Sequence, residues 1–209
     1  RLDIKNDFVI KGINLEGLRK VGNPIELASK YYMNNIDEII YVDAVASLYR
    51  RNSLSNLIYE TSKKIFVPLT VGGGIRSFKD IEEALKFGAD KVSINSYATE
   101  NPNFVYEAVK NFGSSTIVIY VETKFSKESN EWEIYKYSGR EKTNIKLLDW
   151  LSRIQDMECG EILLTSIDYE GVQSGFDINL LDIINEKIKV PLIMSGGCGT
   201  NEHVIELEK

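Results

Sequence analysis

Short runs of β-branched and aliphatic residues alternate along the chain with longer stretches whose apolar positions recur every three or four residues. The runs predict strands at Leu2–Lys5, Glu38–Asp43, Phe66–Val71, Lys91–Asn95, Thr116–Glu122, Glu161–Ser166 and Pro191–Ser195. Between them the period changes to that of a helix. Asn23-Pro24 supplies an N-cap and an N1 proline, followed by Ile25, Leu27, Ala28 and Tyr31 or Tyr32 at helical spacing. Ser77 caps a second helix with Ile81, Ala84, Leu85 and Phe87 on one face, and Asn101-Pro102 opens a third. Ile145, Leu148, Leu151 and Ile154 mark a fourth; Leu180, Leu181 and Ile184 mark a fifth. Strand and helix alternate about every 25 residues, which predicts βα units and a parallel sheet. Glu131–Tyr137 alternates polar and apolar residues after the lysine- and serine-rich Lys124–Asn130, and reads as a β-hairpin inserted after the fifth strand. Val9–Gly12 makes a shorter excursion after the first.

The chain also repeats itself. Val71-Gly72-Gly73-Gly74-Ile75 returns as Ser195-Gly196-Gly197-Cys198-Gly199, each copy after an apolar run that contains a proline. The acidic strand end of Leu2-Asp3-Ile4-Lys5 returns as Val121-Glu122-Thr123-Lys124. Both repeats fall at about half the chain's length, the mark of a duplicated half-barrel with two equivalent anion sites. Seven strands are too many for half a barrel and one short of eight. The natural ligand of paired phosphate sites is an elongated molecule with a phosphate at each end.

Composition removes several classes of chemistry. The chain has 209 residues, 43% of them hydrophobic and 27% charged, as expected of one globular α/β domain spanning residues 1–209. Its net charge of −6 and lack of a Lys/Arg cluster argue against nucleic acid as a partner. No apolar stretch approaches the roughly 20 residues that span a bilayer, and no signal peptide is visible. Cys159 and Cys198 are too few for a disulfide framework, so a cytoplasmic setting is expected. With His203 as the single histidine, histidine-rich metal sites and Ser-His-Asp triads are poor hypotheses, and no metal or cofactor is expected. Acid and base work falls to carboxylates or lysine.

Glycines directly after a strand let backbone N–H groups approach an anion without interference from Cβ. A tight strand-to-helix turn would need the same residues, but two copies at half-chain spacing favour phosphate. Asp3, Asp43, Glu122, Asp168 and Glu170 all fall at or just after strand ends, which would gather them at one barrel mouth. Carboxylates that share a cleft drive one another's pKa upward, so one can serve as acid while another stays basic. Asp43 and Asp168 are equally readable as structural; Asp3 and Glu122 gain weight from their matching places. Lys11 is either solvated surface or a loop cation that folds over an anion. Glu38, Lys91 and Glu161 open strands at the opposite end and would form a charged ring, either a salt-bridge layer or a gate to an axial channel.

The strings Leu2-Asp3-Ile4-Lys5, Val9-Ile10-Lys11-Gly12, Pro68–Arg76, Gly88–Asn95, Gly160–Asp168 and Ser195-Gly196-Gly197 closely resemble the cyclase subunit of imidazole glycerol phosphate synthase, over essentially the whole chain. The resemblance implies a (βα)8 TIM barrel of two half-barrel repeats, its eighth strand lying past Lys209. It implies a glutaminase partner on the barrel's N-terminal face that supplies ammonia. Ammonia then attacks a bisphosphorylated formimino-ribonucleotide, giving imidazole glycerol phosphate and an aminoimidazole carboxamide ribotide in histidine biosynthesis. Carried over by motif, Asp3 and Glu122 are the acid/base pair and Lys11 a mobile-loop lysine. Gly73, Gly74, Asn95 and Ser96 form one phosphate cradle, Gly196 and Gly197 part of the other. Glu38, Lys91 and Glu161 match three of four gate residues, the fourth being an arginine upstream of Arg1.

Some positions depart from the family's pattern. Glu122 and Glu170 stand where aspartate is usual, and Val172 replaces a threonine. The extra methylene of Glu122 moves a carboxylate by about 1 Å, a shift worth ~100-fold in rate at such a site. The stretch Asp43–Leu54 keeps the acidic strand end but has its own loop. These changes also resemble paralogues of the cyclase that pass ammonia to a sugar amidotransferase in surface-polysaccharide synthesis. The related sugar-phosphate isomerase, which shares the half-barrel repeat, is disfavoured by the gate trio and the Gly160–Asp168 string.

Overall fold

The computed structural model describes residues 1–46 and 54–207. In chain order the first strands are β1 (Leu2–Lys5), β2 (Phe8–Ile13), β3 (Glu16–Gly22), β4 (Ile39–Asp43), β5 (Leu69–Gly72) and β6 (Lys91–Ile94). They are followed by β7 (Ile117–Ser126), β8 (Glu131–Lys136), β9 (Glu141–Lys146), β10 (Glu161–Ser166) and β11 (Leu192–Ser195). β1, β4, β5, β6, β7, β10 and β11 pair in parallel, neighbour to neighbour, in that order. Helices fill the crossovers: α1 (Pro24–Met33), α2 (Ser55–Ser62), α3 (Phe78–Lys86), α4 (Ser96–Glu100), α5 (Pro102–Phe112), α6 (Leu147–Asp156), α7 (Ile178–Ile184) and α8 (Asn201–Leu207).

The two faces of this sheet bury different residues, because successive side chains on a strand point to opposite sides. Leu69, Val71, Val92, Ile94, Ile117, Ile119, Ile162 and Leu164 face outward into a core shared with the helices, among them the fully buried Trp150 of α6. Ile40, Val42, Val118, Tyr120 and Leu163 face inward and pack with Ile193 as a separate cluster. Arg1, just before β1, reaches Tyr120 on β7, Thr165 on β10 and Ser195 on β11. Those strands are far from β1 in the sheet order, so the sheet curls round on itself as a (βα)8 barrel does.

Local chemistry sets the helix starts. Asn23 accepts hydrogen bonds from the N–H groups of Ile25 and Glu26, with Pro24 at N1. Ser77 and Asp80 close a capping box on α3, and Pro102 opens α5.

Several predicted boundaries move. Phe66 and Val67 lie outside β5, which begins at Leu69, and Phe66 is 79% exposed. β7 runs past Glu122 to Ser126 because it pairs antiparallel with β8, and β8 pairs in turn with β9. Glu131–Tyr137 is therefore largely the middle strand of a meander, not a whole hairpin. Ile145 belongs to β9, and α6 begins at Leu147. The Val9–Gly12 excursion is a full antiparallel pair, β2 and β3, beside β1. The distinctive loop within Asp43–Leu54 includes residues 47–53, which lie outside the described residues.

Candidate active site

Strand ends and the turns after them build the mouth of the barrel. Gly72 lies beside Ser93, whose Oγ would sit 1.9 Å from any added Cβ. Gly73 takes φ +97°, and a Cβ there would meet Asp43 O at 2.4 Å. Only glycine permits both this backbone and this approach. Gly196 repeats the arrangement, with φ +101° and Ser166 O 2.7 Å from its added Cβ. Strand register agrees: Val42 pairs with Gly72 and Thr165 with Ser195, each just before the glycine that crosses to the neighbouring strand. The equivalence is thus Gly73 with Gly196 and Gly74 with Gly197, one residue from the alignment that starts both motifs at their first glycine. What the two halves share is the positive-φ pair, and Gly72 belongs to the strand.

A cavity of about 320 Å³ opens over the first cradle, with Gly73, Gly74, Asn95, Ser96, Arg76 and Glu122 in its wall. The turn after β8 covers it. Tyr137 and Ser138 adopt left-handed backbone angles, and Tyr137 N–H donates to Ser96 Oγ at 3.0 Å. Ser138 Oγ donates to Ala44 O at 3.1 Å, and Gly139 N–H to Glu122 Oε2 at 3.1 Å. Neither Arg76 nor this turn stood out in the sequence as a site element. The turn's one signal was the small polar Ser138-Gly139 just after the alternating Glu131–Tyr137.

Asp3, Glu122 and Glu170 all line a smaller cavity of about 20 Å³ next to it. Glu122 is buried and accepts a hydrogen bond from Tyr120 Oη at 3.0 Å. Burial drives its carboxyl above the ordinary range, outweighing the bonds from Tyr120 and Gly139. Asp3 goes the other way. Burial would raise it too, but the Arg1 guanidinium, followed by Lys11, pulls it below the ordinary value. Arg1 Nε lies 2.9 Å from Asp3 Oδ1, and Nη2 lies 3.1 Å from Asp3 Oδ2 and 3.0 Å from Glu170 Oε2. Lys11 contacts Glu170 and lies 3.7 Å from Asp3.

Arg1 is the residue that pattern reading passed over. Its only signal was a period of two: it stands two positions before Asp3 and so shares the inward face. The other acids separate. Asp43 Oδ1 accepts from the N–H groups of Val45 and Ala46, both at 2.9 Å, turning the loop after β4 while its residue still lines the larger cavity. Asp168 Oδ2 accepts from Phe125 N–H at 3.0 Å and ties its loop to β7.

At the strands' N-terminal end, Lys91 Nζ lies 3.1 Å from both oxygens of Glu38 and 2.5 Å from Glu161 Oε1. Burial works against the Lys91 charge, but the two glutamates more than restore it and its pKa is raised. The sequence-predicted residues thus collect at two poles: cradles and acids at one, the charged trio at the other. Among the described residues no group of three or more His, Cys, Asp or Glu is arranged to hold a metal ion, and no helix is long and apolar enough to cross a membrane.

The family model described as "Histidine biosynthesis protein" matches residues 1–209. A protein of Legionella pneumophila named imidazole glycerol phosphate synthase subunit HisF is 48% identical over 202 residues, covering 97% of this chain and 95% of its own. Proteins of the same name from Hydrogenobaculum sp. (strain Y04AAS1) and Staphylococcus carnosus (strain TM300) are 44% and 43% identical. They cover 100% and 99% of this chain, and 82% and 81% of their own.

Proposed function

Because the chain belongs to the histidine biosynthesis protein family, among imidazole glycerol phosphate synthase HisF subunits, we propose that it is the cyclase subunit of that synthase. It takes ammonia and a bisphosphorylated formimino-ribonucleotide to imidazole glycerol phosphate and the aminoimidazole carboxamide ribotide, as a lyase of histidine biosynthesis. One observation carries this reading. Asp3 and Glu122, from matching strands of the two halves, open on one cavity beside a glycine cradle. In that arrangement the cradles at Gly73-Gly74 and Gly196-Gly197 hold the substrate's two phosphates, with Asn95 and Ser96 at the first. The reacting centre then lies between acids whose environments push their proton affinities apart, the division that acid–base catalysis needs. Lys11, half exposed at the rim, closes on the anionic substrate.

As a subunit, the barrel works with a glutaminase at its N-terminal face, in the cytoplasm. Support for that face comes from Phe66, Met33 and Ile36, which are 79%, 77% and 40% exposed in the segments that lead into β4 and β5, beside Tyr32. Such a cluster of large apolar side chains is unusual on a surface without a partner. Beside and beyond Lys91, the inward-facing Thr70 Oγ1 and Ser93 Oγ and the second oxygen of Glu161 are buried without hydrogen-bond partners among the described residues. Hydroxyl and carboxylate groups lining the axis suit the passage of a small polar molecule such as ammonia.

The reading is tested by incubating the protein with the bisphosphorylated substrate and ammonium salt, without glutaminase, and separating the products. Both products are expected from the native protein. Asp3→Asn should lower turnover at least ~100-fold with little change in substrate affinity. Absence of imidazole glycerol phosphate from the native reaction would overturn the assignment.

A further inference from the structure

We propose that Arg1 is a positioning residue that binds Asp3 and Glu170 into a neutral cluster at the barrel axis, leaving Glu122 as the proton donor of the site. The proposal rests on the cyclase reading and assigns the roles within it.

The geometry is that of a fixed cation. The Arg1 side chain is only 5% exposed. Its Nη1 donates to Thr165 Oγ1 at 2.6 Å, Ser195 Oγ at 2.9 Å and Tyr120 Oη at 3.3 Å. Its Nε and Nη2 face the two oxygens of Asp3, and Nη2 also meets Glu170. Four strands and one loop thus hold a guanidinium that stays charged at any physiological pH. With Lys11 it makes two cations against two carboxylates.

The charged and titratable groups around Asp3 are few. Arg1 stands two positions before it, just ahead of β1, and Lys11 comes from β2. Glu170 comes from the loop after β10, Tyr120 and Glu122 from β7, and Arg140 from the turn after β8. β4 adds only the apolar Val42. Cations therefore dominate at Asp3, and a carboxylate so placed gives up its proton early. Glu122 is different: it has no ion pair within salt-bridge distance among the described residues, and accepts hydrogen bonds from Tyr120 and Gly139. A buried carboxyl whose hydrogen-bond partners are neutral holds its proton more tightly than a solvated one. Asp3 is left to accept a proton from the attacking nitrogen while Glu122 delivers one to the leaving group, so the site's proton count is unchanged.

The test reads Asp3 directly. Protein carrying ¹³C-labelled aspartate carboxyls is titrated by NMR without substrate, with Asp3 assigned through Asp3→Asn. In Arg1→Met the Asp3 midpoint should rise by about one pH unit or more, and Arg1→Lys should restore most of the difference. The acid limb of the ammonium-dependent kcat/KM profile should move with it. Should Arg1→Met fail to fold, Arg1→Gln keeps a donor for Thr165 and Ser195 while removing the charge. An Asp3 midpoint unchanged when the charge at position 1 is lost would overturn the proposal. If native protein forms no product yet the midpoint moves, the cyclase reading falls and the Arg1–Asp3 assignment stands.

Discussion

At Gly73 a side chain would have to share space with the backbone of β4, 2.4 Å from Asp43 O, at a φ of +97°. Gly73→Ala should therefore cost the left-handed backbone penalty of about 1–2 kcal/mol, with the clash added to it. The cradle would splay, and KM for the bisphosphate should rise tenfold or more, read in steady-state kinetics alongside a lower Tm. Glu122 offers a prediction of opposite sign. Burial raises its carboxyl pKa in the folded protein, so folding binds that proton more tightly than the unfolded chain does. Stability from this group is then highest below about pH 4, the unfolded value, and declines as pH rises toward the folded one. Glu122→Gln removes the decline. Its Tm should exceed the native value by a few degrees at pH 8, with the gap closing by pH 4, while turnover falls at least ~100-fold. The pair Asp3 and Glu122 was legible in the sequence because duplication marked both. Arg1 was not, because an arginine before a strand has no pattern of its own; only the curl of the sheet brings Thr165 and Ser195 to it.

Among the elements, the parallel strands were easy to read, since most are short apolar runs and several, such as β4, β5 and β11, end on or just before a carboxylate or glycine. The meander was not. β9 is Glu-Lys-Thr-Asn-Ile-Lys, without alternation, and β8 is set by pairing with the extension of β7. Tertiary pairing decided those residues, as it does where side-chain preference is weak. The turn it carries matters because Tyr137, Ser138 and Gly139 bind Ser96, Ala44 and Glu122 in turn. Replacing residues 137–140 with a two-residue Asn-Gly turn should leave the barrel folded, with Tm within a few degrees of native. It should raise KM for the bisphosphate several-fold and move Glu122's pH limb, since the backbone donor at Gly139 is lost. Unchanged kinetics would mean the turn is ornament to the site.

The whole molecule has two poles joined by an axis. Both poles were legible from residue types at strand starts and ends, but what lies between was not, because inward-facing Thr70 and Ser93 look like any buried strand residues. If the N-terminal pole receives a glutaminase, Phe66→Asp should weaken that association at least tenfold in a binding titration. Ammonium-dependent turnover should be untouched, since Phe66 is remote from the cradle. The most direct test of the account follows the nitrogen itself. The barrel alone is given ¹⁵N-ammonium and the bisphosphorylated substrate, and both products are examined by NMR. One labelled nitrogen in the imidazole ring, with none in the carboxamide product, is the expected result; a ring without label would contradict it.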